Sequence, residues 1–169
     1  MLATDAYHAA AWTSFFQAVV AAAAALVGLL FVAVSLNVAF IADSPKHRAR
    51  AREALGQLLV LVILGIVVLL PGQSRSALGA ELVVYGTAVA AVTIGLQAST
   101  VRRLAPDERA RWIVRVMGYD VGVATITIAG AGLLARGAGG LYWLVPTVLI
   151  FFVWSSLNAW FLLIGARGG

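Results

Sequence analysis

Five apolar runs, joined only by short polar connections, make up most of this chain of 169 residues. They cover residues 12–41, 54–70, 79–100, 112–135 and 141–165. A helix needs about 20 predominantly apolar residues to cross the hydrocarbon core of a bilayer. Each run comes near or exceeds that length. Charged residues make up only 11% of the chain, against about 25% in a soluble domain. So little charge cannot cover a water-facing surface, and lipid takes over as the solvent for much of it. The expected fold is therefore all-α: one domain over residues 1–169, a polytopic membrane bundle of five transmembrane helices.

The runs differ in quality. The first has 30 residues and would rise about 45 Å as a helix, more than the core alone requires, so its start projects or the helix tilts. The second is short and ends at Pro71 and Gly72. The fourth is the least regular, because it carries Arg115, Asp120 and glycines at 118, 122, 130 and 132. It crosses only if those polar atoms face protein or water, and otherwise the C-terminus changes side. No positive segment precedes the first run, and Asp5 stands there instead. That run reads as a retained helix, not a cleaved signal.

Charge orients the bundle. Lys46, Arg48, Arg50 and Arg52 lie between the first two runs, and Arg102, Arg103, Arg109 and Arg111 between the third and fourth, with Arg115 just inside. The opposite side has only Arg75 and Arg136. The positive-inside rule makes the basic connections cytoplasmic, with the N-terminus outside and the C-terminus, with Arg167, inside. The net charge of +5 is thereby spent on topology, and no nucleic-acid partner is expected. Ser44-Pro45 and the 105–108 stretch read as turns and helix starts.

Small residues form seams. Ser14, Ala18, Ala21, Ala25, Gly28, Val32, Ser35 and Ala39 recur in steps of four and three along one face of the first run. Gly118, Gly122, Thr125, Ala129 and Gly132 do the same in the fourth, and Gly86, Ala90, Thr93, Gln97 and Thr100 in the third. Such stripes let helix backbones approach closely in lipid. They serve either packing within the chain or a face toward identical subunits. The first stripe is about 40 Å long, which exceeds what one neighbour in a small bundle requires and favours self-association.

The polar residues at membrane depth are candidate pore or polar-site groups: Gln17, Ser35, Asn37, Glu81, Asp120 and Asn158. Asp120 lies about 12 Å into the fourth run and costs at least about 2.5 kcal/mol there, so it needs a partner such as Arg, Asn or water. Glu81 stands near the start of the third helix, where the dipole and Arg75 would stabilise it. Asn37 and Asn158 are placed to hydrogen-bond across helices. Trp12, Trp112, Tyr142 and Trp143 read as interfacial anchors.

Enzyme chemistry finds no support. Aspartyl proteolysis in the membrane needs two carboxyls sharing a site, and Asp120 has no embedded partner. His8 and His47 fall on opposite sides, outside the runs, so neither a nucleophile with its base nor a zinc site is expected. With no cysteine, thiolate chemistry is excluded. No cofactor is expected.

Several segments carry a resemblance: ALVGLLFVAVSLN from Ala25 to Asn37, PGQS at 71–74, LGAEL at 78–82, GLYWLVP at 140–146 and LNAW at 157–160. Over most of its length the chain resembles a family of small five-span integral membrane proteins of actinobacteria, whose members are often labelled modulators of FtsH protease. That resemblance implies a bacterial plasma membrane location and the five-segment plan, and it brings no catalytic residues. Two functions follow as expectations. One is a homo-oligomeric pore or ion channel with the first helix near the axis. The other is a non-catalytic accessory protein that binds another membrane protein, such as a membrane protease, through its small-residue seams.

Overall fold

The computed structural model describes residues 6–43, 45–101, 106–137 and 139–165, with side chains described except at 45–46, 99–101, 106–116 and 162–165. Lys46, Thr100, Arg102, Arg103, Arg109, Arg111, Trp112, Arg115 and Arg167 thus have side chains outside the described residues.

All regular structure among the described residues is helical. A short 3-10 turn, Ala9–Trp12, leads into α1 (Thr13–Leu36). Then follow α2 (Val38–Asp43), α3 (Pro45–Leu69), α4 (Arg75–Val101), α5 (Pro106–Ala135), a second 3-10 turn (Gly140–Trp143) and α6 (Leu144–Gly165). Five of these helices are long and apolar enough to cross a membrane, and the outside of the bundle is as apolar as a lipid environment requires. Leu29, Phe31, Val84 and Val92 are each about two-thirds exposed.

Local chemistry explains the boundaries. The first helix does not run unbroken from residue 12 to 41. Asn37 leaves helical geometry (φ −117°, ψ 27°). Its side-chain Nδ2 donates to Ala33 O at 2.9 Å and its backbone N–H to Val34 O at 3.2 Å. An Asn side chain that competes for backbone partners in this way ends helices. The chain restarts at once, with Ile41 N–H donating to Asn37 O. Pro45 and Pro106 open α3 and α5, at the position where a missing N–H costs nothing. α3 and α5 are accordingly longer than the second and fourth apolar runs, and Arg48, Arg50 and Arg52 sit on the first turns of α3, not in a loop. Ser74 Oγ accepts from Ala77 N–H at 3.1 Å and caps α4.

In space the helices follow the order α1, α3, α6, α5, α4, each packed mainly on its neighbours in that series. The middle three are well covered; α1 and α4, at the flanks, are buried over only 17% and 22% of their most apolar windows. The centre is filled by Phe16, Leu61, Leu64, Ile126, Leu144 and Phe151, all sealed from outside. The residues ahead of α1 fold back over the start of α6: Leu141 N–H donates to Ala6 O at 2.9 Å, and Trp12 meets Tyr142 edge-on at 4.8 Å. Trp12 is thereby buried, so it packs inside the bundle and does not form a belt.

Candidate functional site

The face of α1 turned into the bundle carries Phe16, Val19, Ala23 and Leu30. The small-residue stripe points the other way. Ser14, Ala18, Ala21, Ala25, Gly28, Val32, Ser35 and Ala39 are all exposed, and a Cβ built on Gly28 would meet nothing within 4 Å. Among the described residues the stripe therefore faces away from the other helices. Gln17 and Ser35 lie on this outward face and are exposed. They are 18 residues apart (35 − 17), five turns at 3.6 residues each, which stacks them about 27 Å apart on one side of the helix. Ser35 Oγ turns back onto Phe31 O at 2.9 Å.

Asn37 belongs elsewhere. Two residues beyond Ser35, it is rotated by about 200° on a helix, is half-buried, and spends its amide on Ala33 O. It forms no bond with Asn158, whose Nδ2 is buried without a hydrogen-bond partner among the described residues. The expected Asn37–Asn158 bridge is not made, because the break at Asn37 commits that side chain locally.

The other seams face inward. On α5, Gly122, Thr125, Ala129 and Gly132 are buried and Gly118 is half-buried. Trp154 packs over Gly118 at 3.7 Å from where its Cβ would be, and the Phe151 ring fills the space a Cβ on Gly122 would occupy. Where α4 crosses α5 the backbones nearly touch: a methyl on Gly130 would lie 2.7 Å from Gly79 O and 2.7 Å from Val83 N. Further along the same crossing, Gly86 leaves room for Thr127.

Asp120 is exposed on the α4–α5 flank and accepts from Gln97 Nε2 at 2.8 Å. Gln97, a member of the third seam, makes this hydrogen bond between helices and is the partner that Asp120 needs. It stands four residues before the end of α4 at Val101, about 6 Å, whereas Asp120 is 14 residues into α5 (120 − 106), about 21 Å. The start of α5 therefore projects beyond α4, and Asp120 lies near the level of the α4 end. Beside it, Tyr119 stacks on Phe151 with centroids 5.0 Å apart. Glu81 accepts a short hydrogen bond from Gln73 Nε2. Its expected neighbour Arg75 instead donates to Leu133 O at 2.6 Å, at the end of α5.

Sequence reasoning passed over the polar strip inside the bundle. Thr125 and Thr147 share a hydrogen bond of 2.6 Å, and both also reach Gly122 O. Ser155 leans on Ala54 O at 3.4 Å. Gln57 is fully buried, and neither of its side-chain polar atoms has a partner among the described residues. The available signal was position: a polar residue within a span faces protein more often than lipid. Among the described residues no group of three His, Asp or Glu side chains could hold a metal. No family model, no curated protein and no solved structure matches this chain.

Proposed function

We propose that the chain is a subunit of a homo-oligomeric membrane pore in which α1 packs around the axis. The observation that carries this reading is the outward stripe of α1, exposed along its whole length. Helix association in lipid is driven by close packing of small residues, and this surface has that character while serving nothing in its own chain. Among the described residues the centre is closed by fully buried Phe16, Leu61, Leu64, Ile126, Leu144 and Phe151, and the buried Thr125, Thr147 and Ser155 hydroxyls are spent on backbone oxygens, so a conducting path would run between subunits. Gln17 and Ser35, stacked on the outward face, would form polar rings near the two mouths of that path, with alanine and glycine between them. Asn37, turned inward, drops out of the lining. So does Asp120, because α3 and α6 stand between α1 and the α4–α5 flank.

The basic residues at the starts of α3 and α5 support a cytoplasmic placement for that end. With an odd number of crossings, the N-terminus is then outside and the C-terminus inside. The resemblance stated above supports the plasma membrane of a bacterium. The role is read as non-catalytic.

The same stripe supports a second reading, an accessory protein whose α1 packs on a helix of another membrane protein, such as a protease. Particle mass separates the two. Light scattering of the purified protein, corrected for detergent, is expected to give a closed assembly of four or more chains. In that assembly Ser35→Cys reacts with a water-soluble thiol reagent, and liposomes containing the protein pass ions. A monomer or dimer overturns the axial pore, and stoichiometric recovery of a second membrane protein favours the accessory role.

A further inference from the structure

At the end of the bundle away from the α3 and α5 starts lies a cavity of about 790 Å³. It is formed by the residues ahead of α1, the α3–α4 turn, the first turns of α4 and the end of α5. The sequence places ten of its twelve Lys and Arg residues toward the opposite end and two, Arg75 and Arg136, at this one. Both line this cavity, although 61 positions separate them (136 − 75), and His8 joins them. No Asp or Glu is among the described lining residues.

Each arginine is positioned by backbone chemistry. Arg75 donates from Nη1 to Leu133 O, which fixes its guanidinium while using one of five N–H groups. Arg136 holds the left-handed conformation, φ 53°, as the residue after α5, and Gly137 N–H reaches back to Gly132 O at 3.2 Å. This closing turn ordinarily takes glycine, and an L side chain there is strained by about 1 kcal/mol. A glycine stands at the very next position, so strain at Arg136 is not forced by a lack of glycine nearby. Strained backbone of this kind clusters at ligand clamps. The remaining wall is mixed: Val68, Leu69 and Leu78 make an apolar part, and Thr13, Gln73 and Ser74 add neutral polar groups. The volume falls within the usual range for small-molecule sites, about 300–1,000 Å³.

We propose that this cavity binds a phosphate group, with Arg75 and Arg136 as its clamp. The apolar part of the wall beside the clamp suits a phosphate carried on an acyl-bearing headgroup, as in an anionic membrane lipid. Guanidinium pairs are the side chains best matched to phosphate oxygens. The site is independent of whether α1 builds a pore.

The test is native mass spectrometry of the full chain released from neutral detergent supplemented with phosphatidylglycerol, with a parallel titration of inorganic phosphate read by thermal shift. The wild type is expected to retain one lipid per chain that Arg136→Gly loses. The apparent affinity in that variant should fall about tenfold or more, as expected for a lost charge-assisted pair. Arg136→Gly relieves the left-handed strain, so its fold is retained and its melting point is equal or higher. Arg48→Gln, at the opposite end, keeps the Arg136-dependent lipid. If inorganic phosphate gives an Arg136-dependent shift and the lipid does not, the phosphate clamp stands and its ligand is soluble. Equal lipid retention by wild type and Arg136→Gly, with no Arg136-dependent phosphate shift, overturns the proposal.

Discussion

The stripes on α1 and α5 are both written mainly in small residues at the same spacing, yet they do opposite work. On α5 the small positions are filled from outside: Phe151 occupies the space over Gly122, and the α4 backbone lies against Gly130. On α1 the small positions are exposed among the described residues, and a Cβ on Gly28 would meet open space. The difference lies in what surrounds each helix. α5 stands between α4 and α6 and is enclosed, whereas α1 touches mainly α3 and turns its back outward. A small-residue stripe therefore marks a surface built for close approach without saying whether the approaching helix belongs to the same chain.

Substitutions at matched positions probe this contrast. The largest effect is expected at Gly130→Ala. Its new methyl would sit 2.7 Å from two backbone atoms of α4, and backbone has no rotamer with which to move aside. Overpacking costs about 1–3 kcal/mol, with the upper part expected here. An unchanged melting temperature in detergent would mean that the α4–α5 crossing is looser than described. Gln57→Leu comes next, with the opposite sign. Removing a buried amide that has no partner should stabilise the bundle by about 1–2 kcal/mol, and a clear loss of stability would show that this side chain bonds to something in the membrane. Thr147→Val leaves Thr125 its bond to Gly122 O and should cost about 0.6 kcal/mol, the usual worth of a hydrogen bond between membrane helices. The smallest effect on the chain itself is expected at Gly28→Leu, below about 0.5 kcal/mol, as for surface substitutions away from any special feature. The particle mass should nevertheless fall. If Gly28→Leu unfolds the monomer, α1 is enclosed after all and the contrast fails.

Much of the fold was legible in the sequence, because hydropathy reads span number directly: an unbroken run of about 20 apolar residues has few alternatives. Boundaries were less so. The apolar run continues past Asn37, and only the competition of its amide for Ala33 O ends the helix there. The direction of the stripes was not legible at all. In a soluble protein, polarity separates the inside of a helix from the outside. Here lipid and protein interior are equally apolar, so Leu29 and Leu30 look alike in sequence although one is two-thirds exposed and the other buried. Of the candidate polar sites, Gln17 and Ser35 lie on the open face, whereas Asn37 and Asn158 do not meet. The pairing of Asp120 with Gln97, and the meeting of Arg75 with Arg136 at one cavity, come from the way α4 and α5 lie together, which no local spacing encodes.

The hydrogen bond from Leu141 to Ala6 joins residues 135 positions apart, and it carries a consequence for the timing of biogenesis. While the nascent chain enters the bilayer from its N-terminus, the first helix waits without its final neighbour until the last one has emerged. Tyr7 and Trp12 can seat only then, since Tyr7 lies against Gly140 and Trp12 against Tyr142. The segment ahead of α1 thus works as a latch that closes late. Until it closes, only the part of α1 that α6 covers stays open, since α3 already lies against the rest of its inner face.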